Sequence, residues 1–149
     1  DIKLFGMTFF SEHDSKFEHF KKWFDLALSY NPSTEFFLGG PWNLKQSEMT
    51  VEEYQAAVDL SAVGIWQIVQ QLRAEYPNNA VTFLHYGKAQ AEIHQMFAAG
   101  QLPDVQNRVG PFETSVFRDN FGHAGLMGIE MSTLVWAKHL YALSVETPR

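Results

Sequence analysis

The sequence has no cysteine among its 149 residues, which excludes a disulfide framework and any site built on a thiolate. Basic residues are few: 11 Lys and Arg stand against 17 Asp and Glu, and the formal charge is −6. Because no basic stripe is interleaved with aromatic residues, nucleic acid is a poor candidate partner. No apolar run approaches the roughly 20 residues needed to cross a bilayer, so we expect no membrane span.

Several functional motifs are also missing. The stretch "GGPW" at 39–42 is too short for a phosphate-binding loop and lacks its lysine, and no Gly-x-Ser-x-Gly elbow occurs. The histidines lack the spacing of a metal site, so we expect neither a metal nor another cofactor. Without cysteine or a visible signal peptide the sequence indicates no particular compartment, and the start at Asp1 instead of Met predicts a trimmed or processed end.

Large apolar side chains are abundant. Apolar residues make up 46% of the chain and aromatic residues 15%, including 13 Phe. So much apolar surface requires burial, and a chain of this length can close one core. We therefore expect a single α/β domain over residues 1–149, its class following from the order of the predicted elements.

Apolar segments alternate with amphipathic segments along the chain. The predicted strands are 1–10, 34–40 and 80–86, and the predicted helices are 15–30, 50–76, 88–99 and 123–143, with an irregular stretch over 101–122. The spacing of Thr50 and Glu53 is that of a capping box at the start of the second helix. This alternation predicts βαβ units and a parallel sheet with helices on both faces. Three strands are few for such a sheet, which indicates that it is incomplete.

Polar and aromatic residues follow the predicted strands. Thr8 ends the first strand, Trp42 follows the second, and His85 ends the third. Because active groups in parallel sheets gather at the carboxyl ends of the strands, we predict that these three residues contact substrate. The alternatives are that His85 is a core or rim histidine and that Trp42 only covers the edge of the sheet.

The stretch "SVFRDNFGHAGLMG" at 115–128 places polar residues before the last predicted helix. Asp119 and His123 are a candidate catalytic pair in this stretch, with Asn120 as a substrate-binding candidate or as a substitute for Asp119. The alternatives are that His123 lies on the surface in the first helical turn and that Asp119 or Asn120 caps the helix.

The order of these blocks resembles the later half of an SGNH (GDSL-type) hydrolase. The resemblance rests on "NPSTEFFLGGPW", "YPNNAVTFLHYG" and "RDNFGHAGLMG". It implies a three-layer, flavodoxin-like sheet and hydrolysis of acyl esters, often of lipids or carbohydrates. It also implies that His123 is the general base, that Asp119 orients it, and that Gly128 is the glycine that follows them in the family.

The sequence departs from the family pattern in two places. The family aspartate stands three residues before the histidine, whereas here that position is Asn120 and Asp119 stands four before. The Gly-Asp-Ser block is absent. If strand 1–10 is the family's third strand, every later element falls in order, and the nucleophilic serine belongs upstream of Asp1. Thr8 would then lie in the loop where the family often presents an Asn to the oxyanion.

Three hypotheses follow from these patterns. The chain is the carboxyl-side part of an SGNH-like esterase for a small-molecule acyl ester, or a non-catalytic α/β binding or assembly module. The third hypothesis is an unrelated α/β protein that binds a ligand at the rim of Trp42 and His85. Because missing strands expose a sheet edge, we also expect a homo-oligomer or a partner segment that completes the sheet.

Overall fold

Helices and strands alternate in the computed structural model, which describes residues 2–9, 15–42 and 49–141. The elements are β1 (Leu4–Thr8), α1 (Phe17–Tyr30), β2 (Glu35–Gly39), α2 (Val51–Glu75), β3 (Val81–Leu84), α3 (Gly87–Ala98), β4 (Asn107–Val109), β5 (Ser115–Phe117) and α4 (Leu126–Tyr141). The predicted α/β class is confirmed: the described residues form four helices, a parallel sheet of three strands and a separate strand pair.

The start of α2 is fixed by a reciprocal pair of hydrogen bonds. The backbone N–H of Thr50 donates to Oε2 of Glu53 at 2.8 Å, and the backbone N–H of Glu53 donates to Oγ1 of Thr50 at 3.2 Å. These bonds satisfy two amides that have no partner within the helix, and the predicted capping box is confirmed.

The chain divides into two compact units. The first unit comprises Asp1–Pro41 and Leu60–His85, and the second comprises Trp42–Asp59 and Tyr86–Arg149. The division therefore falls within α2.

In the first unit, β1, β2 and β3 form a parallel sheet in their order along the chain. The register aligns Phe5 with Phe36 and Phe36 with Val81, so these three side chains share one face. Helices α1 and α2 both pack on that face, where the rings of Phe24 and Phe36 stack with centroids 3.7 Å apart. A strand order without reversal explains this, since successive right-handed crossovers then lie on the same side.

The opposite face of this sheet contains a close contact between β1 and β2. A Cβ atom added to Gly6 would meet the ring of Phe37 at 2.0 Å, so only glycine lets the ring lie across β1. Within the described residues β1 pairs with β2 alone, and the side chain of Leu4 is 44% exposed. β1 is thus an edge strand with an apolar side chain at the surface.

The second unit has its own core, which contains the short parallel strands β4 and β5. Its buried members come from α2, α3, the stretch before β4, and β5: Tyr54, Val58, Ala91, Ile93, Val105, Val116 and Phe117. The expectation of an irregular stretch over 101–122 was therefore wrong for 107–109 and 115–117. Three-residue strands are too short to show the alternation from which a strand is predicted.

Candidate catalytic dyad

The candidate dyad lies in the loop that joins β5 to α4. The chain turns back on itself here: Phe117 and Ala124 form an antiparallel bridge, and the backbone N–H of Arg118 donates to the carbonyl of His123 at 2.9 Å. Gly122 makes the turn possible with a φ of +95°, a backbone angle that residues other than glycine rarely adopt.

This loop corrects the predicted start of the last helix. α4 begins at Leu126, not at His123, because the bridge through Ala124 keeps the preceding residues extended. His123 is therefore a loop residue, and neither Asp119 nor Asn120 is at a position that could cap α4.

The side chains of Asp119 and His123 are in direct contact. Nδ1 of His123 lies 2.6 Å from Oδ2 of Asp119. The other carboxylate oxygen, Oδ1, accepts the backbone N–H groups of Phe121 at 3.0 Å and of His123 at 3.2 Å. Both oxygens of the carboxylate are thus used, and its orientation toward the imidazole is fixed.

The turn explains how a spacing of four residues forms this pair. The backbone N–H of Gly122 donates to the carbonyl of Asp119 at 3.3 Å, which folds 119–122 so that the residue after the turn faces Asp119. The carboxylate that meets Nδ1 therefore belongs to Asp119, while Asn120 lies exposed beside it.

Asp119 is held in its charged form. Partial burial acts to raise the pKa of Asp119. This pKa is nevertheless lowered, because burial is outweighed by the hydrogen bonds from the side chain and backbone of His123, the charge of its protonated imidazole and the amide of Phe121. Nε of Arg118 lies 3.8 Å from Oδ2 of Asp119, but the Arg118 side chain is 53% exposed, so this ion pair adds little to the stabilisation of the charged carboxylate.

The contact also determines which imidazole nitrogen is available for chemistry. A carboxylate can only accept, so neutral His123 carries its proton on Nδ1 and keeps the lone pair on Nε2. The His123 side chain is 51% exposed and therefore accessible to a second reactant. The arrangement can accept a proton at Nε2 and stabilise the resulting imidazolium through Asp119.

Trp42 contacts the loop of the dyad. Its indole Nε1–H donates to the carbonyl oxygen of Gly122 at 2.9 Å, and its ring meets the ring of Tyr86 edge-on with centroids 5.7 Å apart. From the sequence Trp42 is a predicted substrate-binding residue, and that role stays a prediction. This bond could not be predicted, because nothing in the sequence links residues 80 positions apart.

The other predicted substrate residues, Thr8 and His85, belong to the first unit. Thr8 is exposed at the end of β1, and the His85 ring stacks on Phe83 with centroids 5.6 Å apart. Their substrate-binding roles stay predictions, as does that of Asn120.

One buried histidine, His94, is not among the site residues predicted from the sequence, which indicates only an ordinary residue of an amphipathic helix. His94 on α3 is 1% exposed and makes T-shaped contacts with the rings of Tyr54 and Phe117, each with its centroid 5.4 Å from that of the imidazole. Within the described residues neither of its ring nitrogens has a hydrogen-bond partner. Burial, reinforced by the charge of Arg108, lowers the pKa of His94 and keeps the imidazole neutral.

In residues 2–9, 15–42 and 49–141 no three His, Asp or Glu side chains are grouped as a metal site would require. Nor does any helix there have the length and apolar character needed to span a membrane.

Comparison of the chain with protein-family models, with curated proteins and with solved structures gives no match. What the fold and the site define is a mixed α/β chain with an accessible Asp–His pair, and a function has to be argued from that geometry.

Proposed function

We propose that this chain supplies an SGNH-like serine esterase with its general base and with the aspartate that orients this base. His123 is the general base and Asp119 holds its imidazole. The observation that carries the proposal is the 2.6 Å contact between Nδ1 of His123 and Oδ2 of Asp119 in a solvent-accessible loop. A carboxylate on Nδ1 is the arrangement that leaves Nε2 free to deprotonate a hydroxyl.

The reaction balances without a cofactor. Nε2 of His123 takes the proton of a serine hydroxyl as its oxygen attacks the acyl carbonyl, and the tetrahedral intermediate then expels the alcohol, which receives that proton. Water repeats the sequence on the acyl-enzyme and releases the acid. Asp119 offsets the positive charge that His123 carries in both halves. The substrate class is a small acyl ester, such as an acylated carbohydrate or lipid.

The proposal assigns the nucleophile to a segment outside this chain. The described serines of the second unit are Ser115 and Ser132; both are buried, and neither hydroxyl has a hydrogen-bond partner in the described part of the chain, so neither bonds to His123. The resemblance to SGNH hydrolases puts the serine block ahead of the first strand. In the same proposal β1, β2 and β3 are later strands of a three-layer, flavodoxin-like sheet that further strands extend at β1.

The experiment uses the full-length product of the gene. We expect it to hydrolyse 4-nitrophenyl acetate or butyrate and to react with a fluorophosphonate, which modifies activated serines. His123→Ala should lower both rates by about 10³-fold or more. The matched control is His139→Ala, an exposed histidine on α4, which should leave both rates unchanged. Equal rates in His123→Ala and the unaltered protein would contradict the proposal.

The alternative is a non-catalytic binding or assembly module. It is favoured by the exposed side of α1, where Trp23, Leu26 and Tyr30 are 54%, 48% and 81% exposed. An open groove of about 370 Å³ is lined there by His19, Lys22, Trp23 and Leu26. Exposed apolar side chains of this size are typical of contact surfaces.

Light scattering after size exclusion tests the alternative. If α1 is an assembly surface, Leu26→Lys should convert an oligomer to a monomer. Leu60→Lys, which changes a leucine of α2 that is 72% exposed, should not. A monomer in all three proteins would weigh against assembly through α1.

A further inference from the structure

We infer that Trp42 is a positioning residue for His123, acting through the peptide bond that precedes it. The catalytic meaning of this inference rests on the proposed function, but the positioning can be measured without any substrate. Its basis is the hydrogen bond from the indole N–H of Trp42 to the carbonyl oxygen of Gly122.

The peptide bond between Gly122 and His123 is held at both ends. Its oxygen accepts from the indole of Trp42 at 2.9 Å, and its N–H donates to Oδ1 of Asp119 at 3.2 Å. Because a peptide unit is planar, these two bonds fix the plane and with it the Cα atom of His123. The direction in which the imidazole leaves the backbone toward Oδ2 of Asp119 follows from that plane.

The indole is itself anchored in the second unit. Its ring packs against the core cluster of that unit and meets Tyr86 edge-on, with an angle of 87° between the rings. Tyr86, next to the start of α3, contacts Trp136 of α4 with ring centroids 5.5 Å apart. The carbonyl of Gly122 is thus tied to α3 and α4 through a continuous set of aromatic rings.

Loss of the indole N–H would release one end of this peptide. Because Gly122 is buried, its carbonyl would be left without a donor. The turn would also gain conformational freedom, because the glycine backbone at this position rotates easily. The imidazole of His123, half exposed, depends on this loop for its orientation. We expect the equilibrium constant that favours the orientation with Nδ1 facing Asp119 over all other orientations to fall about fivefold, the equivalent of one ordinary hydrogen bond.

The test is the Nδ1–H signal of His123 in a ¹⁵N-labelled protein, assigned by its loss in His123→Ala. Trp42→Phe removes the N–H and should shift the signal and raise its exchange with water about fivefold. Trp42→3-benzothienylalanine keeps the bicyclic ring without the N–H and should do the same; it also serves if the Phe variant does not fold. Trp23→Phe, the same change on the exposed side of α1 in the first unit, should leave the signal as it was.

An unchanged signal and tautomer in the benzothienyl variant would overturn the inference. Esterase kinetics give a second, separate result. If the full-length protein is active, positioning predicts a lower kcat at constant KM for Trp42→Phe, and a raised KM at constant kcat would show that Trp42 contacts substrate instead. If the protein hydrolyses no ester, the proposed function fails while the signal of His123 still decides the role of Trp42.

Discussion

One carboxylate, that of Asp119, binds both the backbone N–H and the imidazole of His123, one through each oxygen. We therefore expect Asp119→Asn to disturb His123 strongly, since a neutral amide cannot offset an imidazolium and can present an N–H to Nδ1. The expected loss in kcat/KM for ester hydrolysis is roughly 10³- to 10⁴-fold. Asp104→Asn, an exposed aspartate of the same unit, is the control and should have no effect. Activity retained within tenfold in Asp119→Asn would remove this aspartate from the mechanism.

The turn at Gly122 predicts a stability effect of known sign. Gly122→Ala places a side chain on a residue with φ of +95° and should lower the free energy of unfolding by about 1–2 kcal/mol. Gly64→Ala is a control of the opposite sign. Gly64 lies inside α2, where an added Cβ meets nothing within 4 Å, so alanine should stabilise by about 0.5–1 kcal/mol. Urea unfolding of both variants measures the difference, and a stabilised Gly122→Ala protein would contradict the turn.

The buried His94 predicts a dependence of stability on pH. Burial and the charge of Arg108 lower the pKa of this residue in the folded chain below its ordinary value of 6.5. The unfolded chain therefore binds the proton of His94 more readily than the folded chain does. The contribution of neutral His94 to the free energy of unfolding is thus complete above about pH 6.5 and is lost as the pH falls below that value. The loss cannot exceed about 1.4 kcal/mol per pH unit.

Urea unfolding between pH 7.5 and 5 measures this slope. His94→Leu removes the titrating group and should flatten the dependence, whatever its effect at pH 7.5. His139→Leu, an exposed histidine on α4, should leave the slope unchanged. A slope that survives in His94→Leu would assign the pH dependence to other groups.

The bounds of β2 and α2 could be predicted closely from the sequence. β2 was expected over 34–40 and runs over Glu35–Gly39, and α2 was expected over 50–76 and runs over Val51–Glu75. Local signals carry this information: a capping box starts α2, and Pro77 follows its end. Such signals act within a few residues, so a single sequence contains them.

The contacts of the site could not be predicted in the same way. The residue types of the dyad were visible, but the choice of Asp119 over Asn120 depends on a turn with a positive φ at Gly122. The bond from Trp42 and the burial of His94 depend on packing between distant segments. Spacing along the chain does not encode such contacts, which is why the start of α4 was also placed too early.

A second cluster, in the first unit, joins α1 to the residue after α2. The hydroxyl of Tyr76 donates to Oδ1 of Asp25 at 2.6 Å, and Nζ of Lys21 donates to the same carboxylate and to the Tyr76 oxygen at 3.1 Å. The bond from Tyr76 and then that from Lys21 lower the pKa of Asp25. The carboxylate is therefore held in its charged form by two donors from different segments of the unit.

We expect Tyr76→Phe to lower the free energy of unfolding by about 0.5–1 kcal/mol at neutral pH, a modest value because Asp25 is half exposed. A carboxyl group whose pKa is lowered by folding stabilises the folded chain above its pKa in the unfolded chain, and this contribution is lost as the pH falls through its pKa in the folded chain. The difference in free energy of unfolding between Tyr76→Phe and the unaltered protein should therefore shrink below about pH 4. Tyr30→Phe, at a tyrosine that is 81% exposed, is the control and should be neutral. Unfolding in urea at pH 7 and pH 3 checks both statements. An equal loss at the two pH values would mean that the Tyr76 hydroxyl stabilises the unit through another bond, such as the one from Nζ of Lys21, and that its bond to the charged Asp25 contributes nothing.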